Sequence, residues 1–271
     1  MQRKILFLTD IHQNESSLKK INFSDYDAVI CGGDFLDPNF PNLKKALKLL
    51  EYFPKNSIIV PGNCDNNDKL LSYINDNFVY LHKNKTLLYN FDVHGIGFSR
   101  NLIDDLFIYK DFFSQDEKRV FEFHKNSPLK FILNFCGIFI ESNKVIYKDI
   151  NDVIIKHKSF FDKFISFKEE EIDDYFSNCA PSVNSIIVTH SPPLGFLDKV
   201  DYLPNIGSPS LTKAIDKLSP KLVLCGHFHE NAGLIKYKNC SIFNPGALKD
   251  GFYGEIIIND TEIVSIKKVK I

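Results

Sequence analysis

Short apolar runs in this chain repeatedly stop on a residue able to bind a metal ion, and no other feature constrains the fold as strongly. Lys4 to Thr9 runs into Asp10 and His12, Ala28 to Cys31 into Gly32-Gly33-Asp34, and Ser57 to Val60 into Pro61-Gly62-Asn63, with Asp65 just beyond. After a long interval, Ser185 to Val188 stops at Thr189-His190, and Lys221 to Cys225 at Gly226-His227-Phe228-His229. Runs of this length and composition suit strands buried on both faces. Between them, Leu43, Ala46, Leu47, Leu50 and Phe53 recur at helical spacing, as do Leu70, Leu71, Ile74 and Phe78, and later Leu211, Ala214, Ile215 and Leu218. Alternating strand and helix predicts a parallel sheet covered by helices, whose carboxyl ends share one edge. From Gly233 onward the pattern shows strands and turns without helices, including a hairpin of Glu255–Ile258 and Glu262–Ile266 about Asn259-Asp260. The chain is therefore expected to open as α/β and close as a β meander.

The interval from Ser99 to Ser185 breaks this rhythm. It is rich in Phe, contains a helix expected over Asp162–Phe176, and has its longest apolar stretch at Phe131–Ile140, interrupted by Asn134. That stretch is too short to span a bilayer, and the segment is too apolar to remain disordered. With 271 residues, 44% of them apolar and 25% charged, the chain is expected to be one domain over 1–271. Residues 99–184 would form an inserted subdomain, either a cap over the strand ends or an assembly surface, so a homodimer stays open. The net charge of −1 gives no reason to favour a nucleic acid or an acidic membrane, although a local basic groove would still admit the former. Six scattered cysteines include no C-x-x-C pair, and Ile5-Leu6-Phe7-Leu8 is too short for a signal peptide core. A cytoplasmic protein with reduced thiols and no membrane partner is expected.

Chemistry follows from the convergence of the strand ends. Asp10, His12, Asp34, Asn63, His190, His227 and His229 would meet at one edge, a set of carboxylates, an amide and imidazoles without a thiolate. Such donors suit Mn²⁺, Fe or Zn²⁺ in a hydrolytic site better than structural zinc. Seven protein donors exceed what one ion can use while keeping a water. They fit two divalent ions roughly 3.5–4 Å apart that share a bridging carboxylate and clamp the oxygens of an in-line phosphoryl displacement. His82, His94, His124 and His157 lie outside these positions and are expected to be structural or solvated.

Asp10-Ile11-His12, Gly33-Asp34, Gly62-Asn63-Cys64-Asp65, Thr189-His190 and Gly226-His227-Phe228-His229, in this order, resemble the successive motifs of the calcineurin-like metallophosphoesterase family. Asn244-Pro245-Gly246 is similar to that family's final turn. The resemblance covers about residues 1–98 and 185–271. It implies an α/β fold of two facing β-sheets flanked by helices, a four-layer α/β/β/α arrangement. It also implies that Asp10, His12, Asp34 and His229 hold one ion, and that Asp34 bridges to a second held by Asn63, His190 and His227. The implied activity is hydrolysis by a hydroxide bridging the two metals, Mn²⁺ foremost, with Asn63, Cys64 and Asp65 as the further catalytic positions. Cys64 departs from the pattern, since most of the family carries His there to contact the phosphate or protonate the leaving oxygen. A thiol is a weak donor and a poor acid for an alkoxide. The Gly-Asn-Cys-Asp form thus points to a small phosphodiester with a good leaving group rather than a monoester, and resembles bacterial and archaeal phosphodiesterases. Asp65 would orient a ligand from behind. A non-catalytic scaffold of the same fold and a metal-dependent nuclease are the alternatives.

Overall fold

A computed structural model describes residues 1–127, 129–180, 182, 184–200 and 203–271. Two six-stranded sheets face each other. The first has the spatial order Ile263–Lys270, Phe252–Ile258, Arg3–Leu8, Ala28–Cys31, Ile58–Ile59, Val79–Tyr80. Its last four strands are parallel; Phe252–Ile258 joins Arg3–Leu8 in antiparallel register, and Ile263–Lys270 pairs antiparallel with Phe252–Ile258. The second has the order Gly233–Tyr237, Cys240–Asn244, Leu222–Leu224, Ser185–Thr189, Phe91–Ile96, Asn84–Leu88, parallel at its centre and antiparallel at both edges.

Continuous apolarity of the strands follows from burial on both faces. In Arg3–Leu8, Ile5 and Phe7 point to the second sheet, where they pack with Val93, Ile186, Val188 and Phe243. Leu6 and Leu8 point the other way, against Ala46, Leu49, Leu50, Leu70 and Ile74 of helices Leu43–Leu50 and Asp68–Asn77. The outer face of the second sheet is covered by Ile172, Phe176, Leu211, Ala214, Ile215 and Leu218 of helices Glu169–Ser177 and Pro209–Leu218. Each such side chain removed from water contributes about 1.5–3 kcal/mol before entropy is set against it. The helices begin where side chains can cap them: Asn42, Asn67 and Ser208 accept backbone N–H groups of their first turns. The architecture is therefore the expected α/β/β/α sandwich.

Two expectations need correction. The final strands are not one meander: Gly233–Tyr237 and Cys240–Asn244 extend the second sheet, whereas Phe252–Ile258 and Ile263–Lys270 return to the first. The helix expected over Asp162–Phe176 begins only at Glu169, after a short helix at Lys158–Phe161. Tertiary pairing overrides helical periodicity in between, because Ile165 N–H donates to the Asn63 carbonyl and Phe167 N–H to the Ser99 carbonyl.

Residues 99–184, of which 128, 181 and 183 lie outside the described residues, carry helices Leu102–Ser114, Glu117–Asn126, Phe131–Phe135 and Ile150–Lys156, and a small hairpin of Ile138–Glu141 with Lys144–Tyr147. Their apolar side chains, among them Leu106, Phe113, Phe123, Leu133 and Phe161, form a cluster of their own. That cluster also takes in Val200, Ile206 and Phe228. Phe228 stands between two candidate metal ligands, so the lobe packs directly against the site.

Candidate metal centre

Left-handed backbone shapes the strand ends. Asp10 (φ 55°), His12 (φ 43°), Asp34 (φ 59°) and His227 (φ 67°) all lie in the region that ordinary side chains avoid. Each such residue costs on the order of 1–3 kcal/mol and persists only where its surroundings over-determine it. Tight loop approach adds to this: a Cβ on Gly62 would overlap the Asp34 carboxylate, and one on Gly226 would overlap Thr9 and Asp10. Glycine at 62 lets two loops of the first sheet close on each other, and glycine at 226 lets loops from both sheets meet.

The meeting point is Asp34. Its Oδ2 lies 3.6 Å from His12 Nε2 and 3.5 Å from His190 Nε2, while its Oδ1 accepts the Cys64 N–H at 2.9 Å. Both imidazoles are oriented by carbonyls, His12 Nδ1 by Leu36 O at 2.9 Å and His190 Nδ1 by Gly32 O at 2.7 Å. A proton on each Nδ1 leaves the Nε2 lone pairs facing inward. On one side of Asp34, Asp10 Oδ2 accepts Thr9 Oγ1–H and His227 N–H, and Asp10 Oδ1 lies 3.1 Å from His229 Nε2. Beyond that contact, buried Asp10 Oδ1 has no hydrogen-bond partner. On the other side, Asn63 Oδ1 sits 2.8 Å from His190 Nε2, and the His227 ring packs edge-on against His190 at 5.1 Å. Ligand atoms of Asp10, His12 and His229 fall within 4.8 Å of one another, as do those of Asp10, Asp34 and His190. Of the seven residues singled out in the sequence, Asp10, His12, Asp34, His190 and His229 share such groups, Asn63 reaches them through His190, and His227 lies beside them by its backbone N–H and its ring. A third such group joins His12 and Asp34 to Cys64, which sequence reasoning left outside the donor set.

Electrostatics divide the cluster. Burial alone would raise the Asp10 carboxyl, but His229, His190 and His12 together hold it well below the usual range. Burial favours neutral His190, yet Asp34 and Asp10 outweigh it and raise its pKa. The same contest, with Asp10 dominant, raises His229. For His227, burial and then the neighbouring His190 push it down to about 3. Burial and the Asp34 carboxylate push the Cys64 thiol far up, so it stays protonated.

Asp65 faces away from the cluster centre. Its carboxylate accepts backbone N–H groups from Asp34, Phe35, Leu36 and Gly62 at 2.8–3.1 Å. Burial and Asp34 raise its pKa to about 6, against the pull of those donors. It ties the Asp34 loop to the Asn63 loop. The backbone contact could not be foreseen from the motif, and neither could the Thr9 hydroxyl on Asp10. Away from the cluster, His94 bonds the Tyr175 hydroxyl and His82 accepts the Gly97 N–H, so both are structural.

Buried carboxylate oxygens facing inward lone pairs, with one oxygen unpartnered, are what cations would satisfy; the donor set fits divalent ions. The sequence profile described as calcineurin-like phosphoesterase matches residues 3–231. One crystal structure superposes on 100% of this chain and 99% of its own at a TM-score of 0.63 and 16% identity. TT1561 of Thermus thermophilus aligns over 100% of this chain and 99% of its own, at 0.51 and 14%. A dimetal phosphatase from Danio rerio aligns over 99% of this chain and 98% of its own, at 0.51 and 11%. At such identities the likeness is one of fold. A Caenorhabditis elegans protein described as UPF0046 protein K07C11.7 is 30% identical over 71 residues, 26% of this chain and 24% of that relative's length.

Proposed function

This chain belongs to the calcineurin-like phosphoesterase family, and on that premise we propose that it is a metal-dependent hydrolase of small phosphodiesters. The observation that carries the reading is the pair of imidazoles, His12 and His190, fixed through Nδ1 to carbonyls and turned through Nε2 toward one oxygen of Asp34. Asp34 is the bridging ligand in this reading, with Asp10, His12 and His229 on one side and Asn63, His190 and His227 on the other. Two divalent ions held there, Mn²⁺ foremost and Fe or Zn²⁺ as alternatives, would supply Lewis acidity and an activated water for in-line attack on phosphorus.

The chain's own residues have separable roles. Thr9 and the His227 N–H hold Asp10 Oδ2, leaving Oδ1 for the site. Asn63 directs its amide oxygen at His190 and stands beside the space a phosphate would enter. Asp65 is a positioning residue, since its oxygens are occupied by backbone donors. Cys64 keeps its proton and so cannot serve as an effective acid for a poor leaving group. That favours diesters with stabilised leaving groups over alkyl monoesters. We read residues 99–184 as an insert that helps set substrate choice, within a single domain of 1–271. All six cysteines are free, which supports a reducing, cytoplasmic setting. Among the described residues no helix is long and apolar enough to cross a membrane.

The test is hydrolysis of bis(4-nitrophenyl) phosphate by chelator-treated protein before and after Mn²⁺ is restored. Return of activity only with metal is expected. Turnover that persists in the metal-free protein, or none with two ions bound, would overturn the reading.

A further inference from the structure

The lobe and the rim enclose a pocket of about 470 Å³ that opens on the candidate metal centre: Asn63 and His227 form part of its wall. Most of the remaining wall is apolar, with Leu102, Ile103 and Ile132 from the lobe facing Phe161 and Phe228. Phe161 and Phe228 are rooted in the lobe's buried cluster, so the wall is fixed by packing rather than by loose surface chains. An apolar cavity of roughly 150 Å³ suffices for a benzene ring. The present volume therefore holds an aromatic or branched alkyl group with room beyond it.

Polar side chains interrupt this wall at Ser99, Asn101, Asp162, Ser166 and Glu230, and one charged pair within it is buried. Arg100 Nε and Asp105 Oδ1 lie 3.4 Å apart, are closed off from water, and have no hydrogen-bond partner. Burial pushes the Asp105 carboxyl up to about 8, which lessens its negative charge beside Arg100 near neutral pH. Arg100 is the one Lys or Arg in the lining, among the described residues. A track for successive phosphates would need several.

Resting on the phosphodiesterase reading, we propose that this pocket receives one ester group of the substrate, and that the group is predominantly apolar, aryl or alkyl, rather than a nucleotide chain. The phosphate would lie at the Asn63 and His227 end, and the apolar group would displace water from beside Phe161 and Phe228.

The experiment titrates Mn²⁺-loaded full-length protein with methylphosphonate and phenylphosphonate by calorimetry. Full burial of a ring predicts roughly tenfold or greater preference for the phenyl compound. Ile103→Trp and Ile132→Trp fill the pocket from two different elements. Each should bring the preference close to one while leaving methylphosphonate binding unchanged. Equal affinities in the unaltered protein, or an unchanged preference in both variants, would overturn the proposal. Hydrolysis of bis(4-nitrophenyl) phosphate, measured on the same samples, separates the two readings: phenyl preference without turnover sinks the diesterase reading alone, and turnover without preference sinks the pocket alone.

Discussion

The strand-end rim and the lobe of residues 99–184 both bury carboxylates, but they stabilise them by different means. At the rim, Asp65 is met by four backbone N–H groups, Asp34 Oδ1 by the Cys64 N–H, and Asp10 Oδ2 by Thr9 and the His227 N–H. In the lobe, Asp105 has Arg100 3.4 Å away without a hydrogen bond between them. The rim is over-determined by loops from both sheets, which is why it can hold four candidate ligands in left-handed backbone. The lobe is held by aromatic and aliphatic packing, which fixes shape but leaves polar groups less settled. Rigid placement of donors and a pocket of adaptable chemistry are thus separated in the chain, and they meet at Phe228.

The largest expected effect lies at the rim. Asp34→Asn takes a ligand from both ions at once, so hydrolysis should fall below detection and bound metal well below two per chain. Near-normal metal content with activity intact would show that Asp34 is not shared. Next come two buried rings of the lobe cluster. Phe123→Ala and Phe228→Ala should each cost about 3 kcal/mol in denaturant unfolding. Only Phe228→Ala should also weaken Mn²⁺ binding, because it frees the loop carrying His227 and His229. Equal metal affinity in both variants would mean that the lobe and the rim are not coupled through this residue.

A smaller effect concerns Asp105. Its folded carboxyl is pushed up to about 8 by burial, against about 3.9 in an unfolded chain. The folded state therefore holds this proton more tightly, and the stability it contributes is complete below about pH 4 and lost as pH rises through 8. Asp105→Asn should melt above the unaltered protein at about pH 8.5, with the gap closing toward pH 4. A gap that does not vary with pH would show that Asp105 is ionised throughout. The smallest effect is expected from Cys64→His, which should raise turnover of alkyl monoesters relative to diesters by roughly tenfold, short of the ~10²–10⁴ of a well-placed acid. An unchanged ratio would remove the reason given for diester preference.

Much of the rim was legible in the sequence because its information is local. A buried strand, a glycine turn and a donor recur within a few residues of one another, and parallel topology then carries the donors to one edge. Asp65 was visible as a residue but its partners were not, since backbone N–H groups of Asp34, Phe35 and Leu36 leave no mark on side-chain identity. The lobe was less legible for a related reason. Residues 162–168 have helical periodicity but are pulled straight by pairing with Asn63 and Ser99, contacts remote in sequence. Phe228 has no role that its position between two histidines could reveal, because its place in the lobe's core depends on helices more than sixty residues earlier.

The most direct measurement of the central claim is anomalous diffraction from crystals grown with Mn²⁺. Two peaks roughly 3.5–4 Å apart on either side of the Asp34 carboxylate are expected, one beside Asp10, His12 and His229 and the other beside Asn63, His190 and His227. A single peak, or none within reach of Asp34 at saturating metal, would contradict a binuclear centre.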